Sequence, residues 1–468
     1  MTDRPQRTET DAPDCLWRRY GQFPDLSALC ARHPARYPGL LESVAHGTAH
    51  SRYDILFAHP LERRILGPSG DDADNTATEA NHFLNSLHFP RGERSSVTID
   101  PPLPFRGGWL VYLSYEFSRC LEPALGIIPQ NHTEPLALAW RCPAAIIRDH
   151  REQATYVVCE STYPELLDSL VDDLQALTNC GDTPQLPPFQ SLVEESPEKH
   201  LVRIRRALEY IRAGDIYQVN ISRPWMAEYS TAPDPVDLYR CLRRANPAPF
   251  AGMLRLDDTH TIISSSPERL VATHGSHIET RPIAGTWPRR RNNNEDTAAD
   301  KALPRDPKER AEHVMLVDLE RNDLGRLCKP GTVRADEMLI VENHQYVHHL
   351  VSNVTGELRS DVGVNDVIRA MFPGGTITGC PKVRSMQIIA ELEAVPRGAY
   401  TGSMGYINRD GSMDFNILIR TLDQQGRQVR FRAGGGIVAD SVPEREIEET
   451  RAKARGMLTS LGARGFPG

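Results

Sequence analysis

The sequence is short of several things, and each shortage removes a class of function. No apolar run approaches the ~20 residues needed to span a bilayer, and the opening Met1-Thr-Asp-Arg-Pro-Gln-Arg7 lacks the apolar centre of a signal peptide, so no membrane role is expected. The nine cysteines are an odd number with no CxxC pair and no zinc-type spacing, which argues for reduced thiols in a cytoplasmic protein. Basic residues are outnumbered, 54 Lys and Arg against 62 Asp and Glu, and a net charge of -8 with a pI near 6.1 gives no general field for nucleic acid. The densest basic run, Arg289-Arg290-Arg291, reads as a solvated loop.

What is present is ordinary in bulk. With 468 residues, 40% of them hydrophobic and 25% charged, the chain suits a soluble globular protein with a large core. Residues 1–13 are polar and Pro-containing, and are expected to form a disordered tail. Residues 14–180 read as a β-rich N-terminal portion, from runs such as Tyr53-Asp-Ile-Leu-Phe-Ala58 and Ala154-Thr-Tyr-Val-Val-Cys159, with helical periodicity over 166–177. No pair of acids or histidines sits there at a telling spacing, so this portion is read as covering or regulating a site. The Pro-rich stretch 181–197 is the best linker candidate. Over 198–460, long strands interleave with irregularly placed helices, an α+β pattern rather than a βαβ repeat.

The catalytic expectation starts from the C-terminal stretch. Gly434, Gly435 and Gly436 end a strand-like run, where the missing side chains let backbone N–H groups approach a ligand. Ser441 is placed to cap the helix that follows, with Pro443 in its first turn and Glu444 completing a capping box. On that helix Glu446, Glu449 and Lys453 share one stripe, beside the apolar stripe of Ile447, Ala454 and Leu458. A lone helix of this kind is more often a solvated face with Glu–Lys pairs.

A second helix, over 307–324, changes the balance. Its Glu309 and Glu312 lie on the face continued by Leu316 and Leu319, so the carboxylates point where the apolar side chains point. Two helices that each aim two acids inward repel at low dielectric unless a cation lies between them. Oxygen-only ligands favour a hard metal, Mg²⁺, although a shared proton or buried Lys and Arg would serve as well on spacing alone.

Three further signals need weighing. Gly374-Gly-Thr-Ile-Thr-Gly-Cys-Pro-Lys382 resembles a phosphate-binding loop, but Cys380 and Pro381 separate the lysine from the last glycine, which argues against an ATPase. It leads into a helix over 383–392, so Thr378 and the nearby N–H groups are candidates to bind a carboxylate. His344, His348 and His349 gather near Glu342, but strand alternation turns His348 and His349 to opposite faces, which disfavours zinc and leaves one histidine for proton transfer. Glu268 ends an apolar strand, where loss of water raises a carboxyl pKa towards that of a general acid; a pair with Arg269 or Arg281 is the alternative.

Taken together, Gly214-Asp-Ile-Tyr-Gln-Val-Asn220, Ser266-Pro-Glu-Arg269, Arg281-Pro-Ile-Ala-Gly-Thr286, Arg310-Ala-Glu-His313, Asp318-Leu-Glu-Arg-Asn-Asp-Leu-Gly325, Val347-His-His-Leu-Val-Ser352, the 373–382 segment, Gly402-Ser-Met-Gly-Tyr406 and Ala433-Gly-Gly-Gly-Ile-Val-Ala-Asp-Ser441 closely resemble the chorismate-utilising enzymes. The likeness runs from about 200 to 458 and is weaker before that. It implies two large antiparallel sheets packed as a sandwich with helices outside, holding chorismate and Mg²⁺. By the same resemblance Glu312 and Glu449 are the main metal ligands, with Glu309 and Glu446 in support. Arg420, Tyr406 and the N–H groups of Gly434, Gly435 and Gly436 hold the enolpyruvyl carboxylate, with Lys453 and Thr378 nearby; Glu268 protonates the departing C4 hydroxyl, and His349 lies against the ring.

Where water-adding relatives place a lysine base, this chain has Gln218, and a neutral amide cannot deprotonate water, so ammonia is the expected nucleophile. Among the ammonia-using members, Tyr217-Gln-Val-Asn220, the 373–379 segment and Arg52-Tyr-Asp-Ile55 look more like component I of aminodeoxychorismate synthase than component I of anthranilate synthase. Against that, Ala284 stands where aminodeoxychorismate synthases commonly carry a lysine nucleophile, and Leu40-Leu-Glu-Ser43 resembles the tryptophan-binding segment of anthranilate synthases. No Gly-x-Cys-x-Gly segment is present, so a separate glutamine amidotransferase subunit is expected to supply the ammonia.

Overall fold

The computed structural model describes residues 14–45, 51–68, 73–89, 101–126, 134–177, 183–289, 296, 300–343 and 347–463. The expected tail at 1–13 lies outside them, as does His344.

Two antiparallel sheets carry the fold, one of twelve strands and one of ten among the described residues. The larger sheet runs from Cys15–Tyr20 through Ala154–Glu160, Ala144–Asp149, Tyr53–Ala58 and Gly39–Glu42 to Phe250–Arg255, then through His260–Ser266, Thr421–Gln425, Gln428–Ile437 and Gln218–Tyr229 to Gly379–Cys380. In the smaller sheet, Gly108–Leu113 pairs with Ser403–Asn408, and Ile283–Pro288 pairs with Val347–Glu357. The α+β expectation of two sheets with helices outside is what the structure shows. Strand alternation produces it: Phe57, Leu110, Tyr112, Leu138, Ile262 and Met404 meet between the sheets. The opposite faces are covered by helices, through Ala454 and Met457 on the larger sheet and Val317 and Leu324 on the smaller.

The β-rich portion before residue 180 does not form a layer of its own. Its Gly39–Glu42 strand pairs with Phe250–Arg255 and its Gly108–Leu113 strand with Ser403–Asn408, so both sheets mix early and late strands. Within the expected linker, Phe189–Glu194 is a strand on the edge of Gln218–Tyr229. Proline content misleads there because Pro187 and Pro188 precede the strand, and an edge strand tolerates such a start.

The two acidic helices are Pro307–Gly325 and Pro443–Ser460. Asp306 starts the first, its Oδ1 accepting the N–H groups of Lys308 and Glu309 at 3.0 Å each. Ser441 does not cap the second. The preceding turn points its hydroxyl back to accept the Val438 N–H at 3.1 Å, and Val442 takes the cap position without a side-chain hydrogen bond.

Candidate active site

The triple glycine lies in the Gln428–Ile437 strand, and its bareness is required by what presses against it. A Cβ on Gly435 would stand 3.3 Å from both Glu446 Oε2 and Glu449 Oε1. One on Gly436 would collide with Gln218 Nε2 at 2.2 Å, and one on Gly434 would stand 2.8 Å from Tyr400 Oη. Two carboxylates, an amide and a phenol therefore converge on three residues of bare backbone.

The other acidic helix reaches the same place. Gln218 Nε2 donates to Glu312 Oε1 at 3.1 Å, which ties that helix to the Gln218–Tyr229 strand. Gly285, at φ +62, would bring a Cβ within 2.6 Å of Glu309 Oε2, so the turn after Ala284 abuts the same acid. Lys453 Nζ donates to Glu449 Oε1 at 2.7 Å and to Gly434 O at 3.0 Å, and it holds the Glu449 carboxyl below its usual range. Burial raises Glu309, Glu312 and Glu446; repulsion from Glu309 adds to Glu312, and from Glu449 to Glu446. An oxygen-only donor set whose members repel one another fits a hard divalent ion. The ring of acids is loose, however: the described residues whose donor atoms close to within 4.8 Å in threes are Glu134, His260 and Asp423, elsewhere in the fold.

Glu268 shares this field. It is buried, accepts a hydrogen bond from Thr376 Oγ1 at 2.7 Å, and burial pushes its pKa up to about 7, with Arg420 and Lys453 pulling the other way. The alternative of an Arg pair is overturned. Arg269 bonds Asp414 and Glu279, and Arg281 bonds Glu337 and Glu342. Arg420 has no ion pair among the described residues, and burial lowers its pKa to about 10. An unneutralised guanidinium beside a protonatable carboxyl suits an anionic ligand that also needs a proton. The carbonyl Oε1 of Gln218 is likewise buried without a hydrogen-bond partner among the described residues.

Ala284 and His349 lie on the paired Ile283–Pro288 and Val347–Glu357 strands, both buried. His348 faces the other way, its Nε2 2.9 Å from Asp296 Oδ1.

Two expected ligands do not belong. Thr378 is fully buried and its hydroxyl donates to Gly374 O at 2.8 Å, closing a turn instead of facing a ligand. Tyr406 packs against Phe57 and Phe105 and lines a different space, a cavity of about 780 Å³ that also includes Leu41, Glu42, Ser43 and Arg269. The tyrosine at the glycine strand is Tyr400, in a segment whose periodicity carries no signal. Glu320 and Asp323 were also missed: both are buried, and Asp323 pairs with Lys382. Burial raises Glu320 to about 8, and Glu268 adds to the shift. Their i+8 and i+11 spacing from Glu312 places them on its face, which the sequence displayed.

A family described as chorismate binding enzyme matches residues 47–459. A protein from Synechocystis named anthranilate synthase component I-like protein is 39% identical over 412 residues, covering 88% of this chain and 83% of its own. An aminodeoxychorismate synthase component 1 from Bacillus subtilis is 39% identical over 441 residues, covering 90% of this chain and 91% of its own. The crystal structure of anthranilate synthase component I from Streptococcus pneumoniae is similar with a TM-score of 0.74 at 30% identity, covering 88% of this chain and 93% of that one.

Proposed function

The chain belongs to the chorismate binding enzymes, and from that premise we propose that it is component I of an aminodeoxychorismate synthase, converting chorismate and ammonia to 4-amino-4-deoxychorismate and water. The observation that carries the choice of nucleophile is Gln218. Its amide is fixed by Glu312 at 3.1 Å, beside the glycine strand where a base would have to stand, and it cannot take a proton from water. Its buried Oε1 offers the acceptor that an incoming ammonia N–H group needs.

The remaining residues divide the work. Arg420 and the N–H groups along Gly434 to Gly436 hold the enolpyruvyl carboxylate, with Tyr400 Oη at the edge. Glu268, half-protonated near pH 7, gives its proton to the departing C4 hydroxyl. His349 stands against the ring. Glu309, Glu312, Glu446 and Glu449 would hold Mg²⁺, which when bound neutralises the ring carboxylate and fixes the ring. Ammonia comes from a separate glutamine amidotransferase subunit, for which free ammonium should substitute. Tryptophan is proposed for the inter-sheet cavity at Leu41, Glu42 and Ser43.

A second reading, component I of anthranilate synthase, is favoured by Ala284, whose methyl group cannot act as a nucleophile. Incubating the purified chain with chorismate, Mg²⁺ and ammonium separates the two. The first reading expects 4-aminobenzoate only after a lyase is added. Anthranilate and pyruvate without a lyase would replace it with the second.

A further inference from the structure

Away from the glycine strand, Glu134, His260 and Asp423 each bring a ligand atom to within 4.8 Å of the others. His260 opens the His260–Ser266 strand and Asp423 lies on its neighbour Thr421–Gln425, with His260 Nε2 2.7 Å from Asp423 Oδ1. Both belong to the larger sheet. Glu134 comes from the segment leading into Ala137–Cys142 of the smaller one. A Cβ on Gly398 would stand 2.9 Å from Glu134 Oε2 and 3.7 Å from Asp423 Oδ2, so the two carboxylates face the same glycine.

A fourth group points the same way. Tyr112 is fully buried in the layer between the sheets, and its hydroxyl has no hydrogen-bond partner among the described residues. The charges that act on it most strongly are those of Asp423 and then Glu134. A buried phenol in the field of two carboxylates, without a hydrogen-bond partner among the described residues, is a polar group still to be satisfied. Among the described residues Glu134 has an ion pair with Arg430, whose Nη1 lies 3.4 Å from Glu134 Oε1 on a half-exposed side chain, a weak contact.

We propose that Glu134, His260 and Asp423, with the Tyr112 hydroxyl completing the set, form a structural site for a first-row transition-metal ion of the Zn²⁺ class. The donor chemistry separates it from the oxygen-only acids at the glycine strand: an imidazole nitrogen beside carboxylate oxygens is a borderline-soft set that suits Zn²⁺ over Mg²⁺. With donors from both sheets, the ion acts as a clamp across the sandwich.

Chelator-stripped full-length protein titrated with Co²⁺ and with Zn²⁺, in excess Mg²⁺ to occupy the oxygen-only acids, tests this. One equivalent should bind, with a Co²⁺ absorption spectrum of a nitrogen-ligated site, and Zn²⁺ should raise the melting temperature. Affinity should fall by more than ~100-fold in His260→Gln and in Asp423→Asn, beyond the loss expected of outer-shell changes, and less in Tyr112→Phe. Circular dichroism establishes that the variants fold. No uptake by the wild type, or equal uptake by a folded His260→Gln/Asp423→Asn double variant, overturns the site and leaves an imidazolium shared between two carboxylates.

Discussion

The acid-lined glycine strand and the inter-sheet cavity are both polar, but they treat charge in opposite ways. In the cavity, charges are matched: Arg269 bonds Asp414 at 2.9 Å and Glu279 at 2.6 Å, Arg52 bonds Asp149 at 2.8 Å, and Arg106 meets Asp410. At the glycine strand Lys453 matches Glu449 at 2.7 Å, and the other charges have no ion pair among the described residues. Glu309, Glu312 and Glu446 are pushed up by burial and repulsion, Arg420 is pushed down, and Glu268 sits near 7. Charges satisfied by neighbours stabilise a fold, whereas unmatched buried charges await a ligand. The inter-sheet cavity is therefore not the better candidate for chemistry.

This contrast predicts different costs for similar substitutions. The largest belongs to Glu268→Gln, which should cut turnover with ammonium by about 10²–10⁴-fold, the usual contribution of a positioned acid, without lowering the melting temperature. A Gln variant that retains turnover would remove Glu268 from the mechanism. Next, Arg269→Met should destabilise by roughly 3–5 kcal/mol in urea unfolding, because Asp414 and Glu279 would be left uncompensated.

The matching change at the glycine strand, Arg420→Met, should move stability by less than about 1 kcal/mol, or raise it, while raising KM for chorismate. Equal destabilisation by the two arginine variants would erase the distinction. At the cavity, tryptophan at 100 times its Kd should add about 2.7 kcal/mol to unfolding stability, and an unchanged melting temperature across the titration would leave the cavity without that ligand.

The last effect is a pH slope. The Glu268 pKa is raised from 4.5 to about 7 in the folded state, so the native protein binds more protons than the unfolded chain across that window. Its contribution is fully present below pH 4.5 and is lost as pH rises through about 7. Glu268→Gln should flatten that decline, by at most about 1.4 kcal/mol per pH unit.

Much of this was legible in one dimension, for identifiable reasons. Helix Pro307–Gly325 announced itself through the shared face of Glu309, Glu312, Leu316 and Leu319, because 3.6-residue periodicity is local. Glu320 was equally readable from that face and was passed over. Ser441 misled because a capping box specifies residue types, while the path of the chain out of the preceding strand decides which way the hydroxyl turns. Tyr406 and Tyr400 could not be separated by spacing. One packs between Phe57 and Phe105 and the other reaches Gly434, a choice made by how the two sheets stack.

The order of residues alone placed Glu309 and Glu312 on the face continued by Leu316 and Leu319, and put three bare glycines in a strand-like run. These are properties of periodicity and residue chemistry, which act over a few neighbours. Only the tertiary structure decided that Gln218, Glu312, Glu449 and Gly435 meet, that among the described residues Arg420 has no ion pair while Arg269 has two, and that Thr378 turns inward. Those outcomes depend on burial and pairing between segments far apart in the chain, and no local pattern encodes which charges a fold will leave unmatched.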